Sequence, residues 1–225
     1  MKKKTKPQNY HDYLKLESLL SCQELLSDKI GEKAHDEMLF IITHQVYELW
    51  FKQILFELDS IFEVFDRDKI DESHIGVVVG RLERINEIQQ LLIDQIKILE
   101  TMTPMDFLNF RDLLTPASGF QSAQFRLIEN KFGLKSINRH GYGGVDYKSK
   151  IDKRERGLIQ ESEQSRSLFD LIEQWLERTP FLVFDEFDFW DQYREAVNKM
   201  ITNDKNIIKM NEKLPENEKA NYLKQ

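Results

Sequence analysis

The run from His35 to Ile54, His-Asp-Glu-Met-Leu-Phe-Ile-Ile-Thr-His-Gln-Val-Tyr-Glu-Leu-Trp-Phe-Lys-Gln-Ile, restricts the fold more than any other stretch. At helical spacing Phe40, His44, Tyr47, Phe51, Ile54 and Leu58 share one stripe, and Leu39, Ile42, Val46, Leu49 and Trp50 share the adjoining one. Only the line Gln45, Glu48 and Lys52 is left for water. A helix that is apolar over most of its circumference has to be enclosed by other elements. The run is therefore expected to lie in the central helix, about residues 36–65, of an all-α multi-helix bundle, opened by the negative charges of Asp36 and Glu37. His44 is expected inside, where an imidazole costs free energy unless it finds a hydrogen-bond partner.

The remaining chain reads as helix after helix, because glycine (9) and proline (5) are few among 225 residues and Leu, Ile, Glu, Lys and Gln dominate the long stretches. Residues 1–9 form an arm, and residues 10–225 are expected to form a single helical domain. Helices are predicted over 10–26, 72–101, 104–114 and 120–132, and from 153 to 178. In the helix over 72–101 Val78, Leu82, Ile85, Leu92, Ile96 and Leu99 are expected to face inward, and Arg81, Glu83, Arg84 and Glu87 to face mostly water. Thr103 and Pro104 form a helix start and Gly133 a stop. Residues 135–150, with Gly141, Gly143 and Gly144, read as a loop whose glycines fit no phosphate-binding pattern. A further helix is expected through Met200, and a charged amphipathic one from Asn206 to Gln225 with a break at Pro215.

Several functions are disfavoured at this level. A net charge of -7 argues against a general nucleic-acid binder. The chain has no run of apolar residues long enough for a membrane span. Cys22 is the only cysteine, so no internal disulfide framework exists, and a cytoplasmic protein is expected. Helical two-metal centres need paired Glu-x-x-His motifs, and Glu32-Lys-Ala-His35 is the single copy. Neither Cys22 nor Ser118 has the surroundings of a catalytic nucleophile.

One constellation remains. Phe40 and His44 lie one turn apart on the central helix, and Phe107 and Arg111 lie one turn apart on a short helix. Aromatic walls, a neutral imidazole and a guanidinium suit a flat apolar ligand with a carboxylate, such as an aromatic amino acid, since the guanidinium can bind a carboxylate by two parallel hydrogen bonds. The plainer alternatives stay open: His44 as a satisfied core residue, and Arg111 as a surface charge paired with Asp106 or Asp112.

Residues His35 to Lys52, together with Phe107-x-x-Phe-Arg-x-x-Leu-x-Pro-Ala-Ser-Gly-Phe-Gln-Ser-x-Gln-Phe-Arg126, resemble the tryptophan 2,3-dioxygenase family. Tyr10-His-Asp-Tyr-Leu14 and Trp175-Leu-Glu-Arg-Thr-Pro180 extend the likeness over most of the chain. The resemblance implies a helical homotetramer that uses haem b iron and O2 to open the indole ring of L-tryptophan to N-formylkynurenine, the entry to the kynurenine pathway. It implies that Arg111 pairs with the substrate carboxylate, that Phe40 and Phe107 pack on the indole, and that His44 hydrogen-bonds the indole N–H. Ile41, Ile42 and Thr43 belong to the same substrate segment. The resemblance also implies that Phe40 and His44 face the haem, that Ser118 lies near the haem and Arg111, and that Tyr10 and Tyr13 reach a neighbouring subunit's pocket.

The likeness has a limit. The family's iron is held by a proximal histidine in a later helix, followed by Gly-Thr-Gly-Gly-Ser-Ser-Gly, whereas histidines here stand only at 11, 35, 44, 74 and 140. No metal ligand is therefore assigned in this chain, which is expected to be C-terminally incomplete relative to the family and to have little activity by itself. The alternative expectation is a haem-free helical binding or assembly protein derived from that family.

Overall fold

Three short helices, α1 (Tyr10–Leu14), α2 (Leu16–Leu20) and α3 (Leu26–Lys29), lead into the 29-residue helix α4 (Glu37–Phe65). They are followed by α5 (Glu72–Leu99), α6 (Pro104–Leu114), a 3-10 turn at Gly119–Gln121, α7 (Ala123–Phe132), α8 (Arg156–Gln164) and α9 (Leu168–Arg178). Two short strands, β1 (Val183–Phe184) and β2 (Phe187–Asp188), pair antiparallel before α10 (Phe189–Met210). This computed structural model describes residues 9–67, 70, 72–134, 151–178, 183–184, 187–211, 215 and 218–219. The expectations for the first eight residues, for the 135–150 loop and for most of the last stretch lie outside that set. The all-α expectation holds, with the two-residue strand pair as an addition.

The described residues gather into two compact units, 1–172 and 173–225. In the first, α4 is flanked by α5 and α7, and α8 packs on α7. Ile54, Leu58, Ile61 and Phe65 of α4 are buried at helical spacing, opposite Val78, Ile85, Ile88 and Leu92 of α5 and Ile128 of α7. Ala123, Ile151 and Ile159 form a smaller cluster with Leu127. In the second unit Asp188 caps α10, accepting from the amides of Trp190 (2.8 Å) and Asp191 (3.1 Å). No helix among the described residues is long and apolar enough to cross a membrane.

Four boundaries differ from expectation, for local reasons. The helix predicted over 10–26 breaks at Lys15, whose φ of 54° is left-handed and whose amide closes α1 on the Asp12 carbonyl. Apolar spacing does not register one such residue. The helix predicted over 153–178 splits because Ser167 and Asp170 cap α9 reciprocally: the Asp170 amide donates to Ser167 Oγ (3.2 Å), and the Ser167 amide to Asp170 Oδ2 (2.8 Å). Ser167-Leu-Phe-Asp170 is a readable start signal of the capping-box type. The helix predicted over 120–132 begins as the 3-10 turn and is restarted by Ser122, whose Oγ accepts from the Phe125 amide at 3.1 Å. α10 continues to Met210, past Met200.

The water-facing lines also differ. Gln45 bonds to Gln23 (2.6 Å) and to the Cys22 carbonyl (3.2 Å), and Glu48 accepts from Gln124 (2.7 Å), while Ile42 and Leu49 are 43% and 51% exposed. Once loops supply side-chain partners, polar residues can sit inward and leave apolar ones outside. On α5, Ile96 is exposed, and Arg81 and Arg84 turn back onto α4. Arg84 bonds the buried Glu57 at 2.6 Å, and Arg81 donates to the Ser60 carbonyl at 3.0 Å.

Candidate functional site

The first turns of α4 are fixed before any ring is placed. Glu37, 1% exposed, accepts from the amides of Leu26 (2.8 Å) and Ser27 (3.0 Å) and from the Ser27 hydroxyl. Ser27, fully buried, accepts in turn from the Ala34 amide at 3.0 Å. Asp36 stands at the helix start without a side-chain cap bond, so the dipole role expected of Asp36 and Glu37 is replaced, at Glu37, by a buried clamp on the preceding loop. Burial pushes the Glu37 carboxyl up, but the bonds from the Ser27 hydroxyl, the Ser27 amide and the Leu26 amide outweigh it and hold the group below its ordinary value.

A carboxyl lowered in the folded chain stabilises it above the unfolded pKa, and that contribution is lost as pH falls through the folded one. Replacing Glu37 by Gln is therefore expected to cost about 1–3 kcal/mol at neutral pH, because donors are left unmatched. Urea midpoints of wild type and Glu37→Gln should converge as the pH is lowered through the carboxylate range; a gap independent of pH would reject the assignment.

Phe40, one turn into α4, is the centre of a ring cluster. Its centroid lies 4.1 Å from that of His44, 5.9 Å from Phe107 and 5.6 Å from Phe110. Phe107 and Phe110 meet edge to face at 5.4 Å. α4 and α6 are thus brought together by aromatic contact, which spacing along the chain could not establish. α6 is set by a capping box between Thr103 and Asp106 with Pro104 at its first position, as its sequence predicts.

His44 is half-buried, where full burial was expected, and its Nδ1 lies 2.7 Å from the Phe40 carbonyl. A carbonyl only accepts, so Nδ1 carries the proton, and Nε2 of the neutral ring keeps its lone pair as an acceptor. The site therefore offers an aromatic face and an imidazole nitrogen able to receive an N–H.

Arg111 follows Phe107 by one turn and is exposed. The alternative of a local carboxylate partner is not what the structure has. Asp106 is engaged with Thr103, and among the described residues the Arg111 side chain has no hydrogen bond or ion pair. Its five N–H donors are therefore without a protein partner among the described residues.

The other predicted residues are more dispersed. Ser118 caps the 3-10 turn, accepting from the Phe120 amide (3.3 Å), and among the described residues no bond joins it to Arg111. Ile41 and Thr43 are half-buried on α4. Ile42 lines a separate cavity of about 440 Å³ with Leu25, Lys33, His35, Asp36, Met38 and Leu39. Tyr10 and Tyr13 stand on α1, 74% and 73% exposed. Sequence reasoning missed Phe110, although its position three residues after Phe107 was a usable signal. It also missed the Ser27–Glu37 clamp, whose partners are ten residues apart with no regular period. Among the described residues no three His, Cys, Asp or Glu side chains form a metal-binding group.

Comparison with known proteins places the chain in a family. The family model described as tryptophan 2,3-dioxygenase matches residues 1–225. The chain is 52% identical over 214 residues to the tryptophan 2,3-dioxygenase of Bdellovibrio bacteriovorus, covering 95% of this chain and 60% of that protein. It is 44% identical over 224 residues to that of Alteromonas mediterranea, 100% and 62% of the respective lengths. It is 50% identical over 216 residues to that of Dictyostelium discoideum, 96% and 54%. The chain thus spans between about half and three fifths of the length of these relatives.

Proposed function

The chain belongs to the tryptophan 2,3-dioxygenase family, and from that premise we propose that these residues carry the substrate-recognition wall of an enzyme that opens the indole ring of L-tryptophan with O2. The observation that supports this most is the meeting of Phe40, His44 and Phe107 with an unengaged guanidinium one helical turn beyond Phe107. The indole would lie on Phe40 and Phe107 with its N–H donating to His44 Nε2, and the amino acid's carboxylate would accept hydrogen bonds from the Arg111 guanidinium. The product of the whole reaction is N-formylkynurenine, in the kynurenine pathway. Cytoplasmic location and homotetrameric assembly belong to the same proposal, and the exposed Tyr10, Tyr13 and Leu49 give a neighbouring copy surface to cover.

Haem b, the cofactor implied by the resemblance, needs an axial donor. His11 and His35 are exposed, His74 is hydrogen-bonded to Arg67, and His44 Nδ1 is held by the Phe40 carbonyl on the substrate side. The described donor set does not fit an iron centre. It favours, for these residues taken alone, the reading of a recognition surface for an aromatic amino acid.

Calorimetric titration of the chain with L-tryptophan, L-phenylalanine and L-alanine tests the reading. Binding of L-tryptophan with an affinity loss of about 1 kcal/mol in His44→Ala, the size of one hydrogen bond, is expected. Equal affinity for L-alanine would reject an aromatic wall.

A further inference from the structure

The clamp at the start of α4 lies on the same helical face as the site. Glu37, Phe40 and His44 are spaced by three and four residues, so the carboxylate that holds the preceding loop is one turn from the first ring of the wall. What it holds is α3: the Leu26 and Ser27 amides and the Ser27 hydroxyl all end on its two oxygens. α3 in turn packs against α6, the helix that carries Phe107, Phe110 and Arg111. Both members of the clamp are buried, and the Ser27 hydroxyl, which donates to Glu37, also accepts from the Ala34 amide. A satisfied buried polar set has one arrangement, since any other leaves groups without partners.

Resting on the reading above, we infer that Glu37 and Ser27 are positioning residues for the site: by fixing α3 to the first turn of α4 they set where Phe107 and Arg111 stand relative to Phe40 and His44. Neither side chain touches the ligand in this account. The ring contacts across the α4–α6 gap, at 5.6 and 5.9 Å between centroids, are the quantity the clamp controls. A shift of about 1 Å at such a gap is enough to cost of order 100-fold where geometry matters.

The test uses Ser27→Ala and Glu37→Gln in the 225-residue chain. Asn130→Ala is the control, because it removes a different buried set, the bonds from Asn130 to the Ile159 carbonyl (3.3 Å) and to Ser162 (2.6 Å) between α7 and α8. Ring-proton NMR shifts of His44 and Phe107 are expected to move in both clamp variants and to stay in Asn130→Ala. L-Tryptophan affinity is expected to fall roughly 10- to 100-fold in Ser27→Ala. In an Arg111→Ala background the same change should cost less than in the wild-type chain, since part of its effect is the displacement of Arg111 together with Phe107.

Glu37→Gln retains one acceptor oxygen and serves if Ser27→Ala does not fold. Unmoved ring shifts in the clamp variants, or a Ser27→Ala effect that adds in full to that of Arg111→Ala, overturn the inference. If the wild-type chain binds no L-tryptophan, the proposed function fails, and the ring shifts by themselves decide for or against the clamp.

Discussion

Arg111→Ala is expected to weaken binding of L-tryptophan by about 1.5 to 3 kcal/mol, roughly 10- to 150-fold, the size of a hydrogen-bonded contact to a charged group. The estimate stays below that for a buried ion pair because Arg111 is exposed in the free chain, so removing it leaves no charge stranded in the interior. The effect comes from the ligand's side, where a carboxylate loses its partner. Arg111→Lys should recover only part of the loss, since an ammonium cannot make two parallel bonds to a carboxylate. L-Tryptophan methyl ester supplies the complementary change. Wild type should bind the ester about as weakly as Arg111→Ala binds the acid, and the variant should not distinguish the two. Equal affinity of wild type and variant for L-tryptophan would remove Arg111 from the site.

Phe110→Ala is expected to lower stability by about 3 to 5 kcal/mol, the range for truncating a fully buried aromatic ring. Phe110 is 1% exposed and meets both Phe40 and Phe107, so its loss leaves a cavity between α4 and α6. Phe107, half-buried and turned to the same gap, should behave in the opposite proportion, with a smaller loss of stability and a larger loss of affinity. Urea unfolding of the two variants at a common m-value measures the difference. A loss below about 1 kcal/mol for Phe110→Ala, typical of surface and half-buried changes, would mean that the ring does not join the two helices.

The long elements were legible because their signals are periodic or local. α4 begins and ends within about a residue of its predicted limits, since the apolar stripes run unbroken from Leu39 to Phe65. α6 was legible from Thr103 and Pro104, and the reciprocal Asp106 bond that completes its capping box was not read. Misreadings concentrate where one residue overrides a pattern, as Lys15 and Ser167 do, or where a partner comes from afar. Gln45 and Glu48 looked solvated because their partners, Gln23 and Gln124, are 22 and 76 residues away. Arg84 is exposed as expected, yet it also reaches Glu57, 27 residues earlier on another helix, a pairing that no period signals.

The candidate site divides along the same line. Phe40 with His44, and Phe107 with Arg111, are each pairs within one helix, and helical spacing places them. The joining of the two pairs depends on Phe110 and on the loop that Glu37 holds, and neither relation has a period. The tautomer of His44 was equally out of reach, because it follows from a carbonyl whose proximity only the folded backbone defines.

One indole is expected to lie against rings from both α4 and α6. Isotope-filtered NMR on labelled chain with unlabelled L-tryptophan tests it directly. Intermolecular NOEs from the indole protons to the rings of Phe40 and Phe107, both lost in Arg111→Ala at the same ligand concentration, are the predicted result. NOEs to neither ring while L-tryptophan is bound would place the ligand elsewhere and contradict the account.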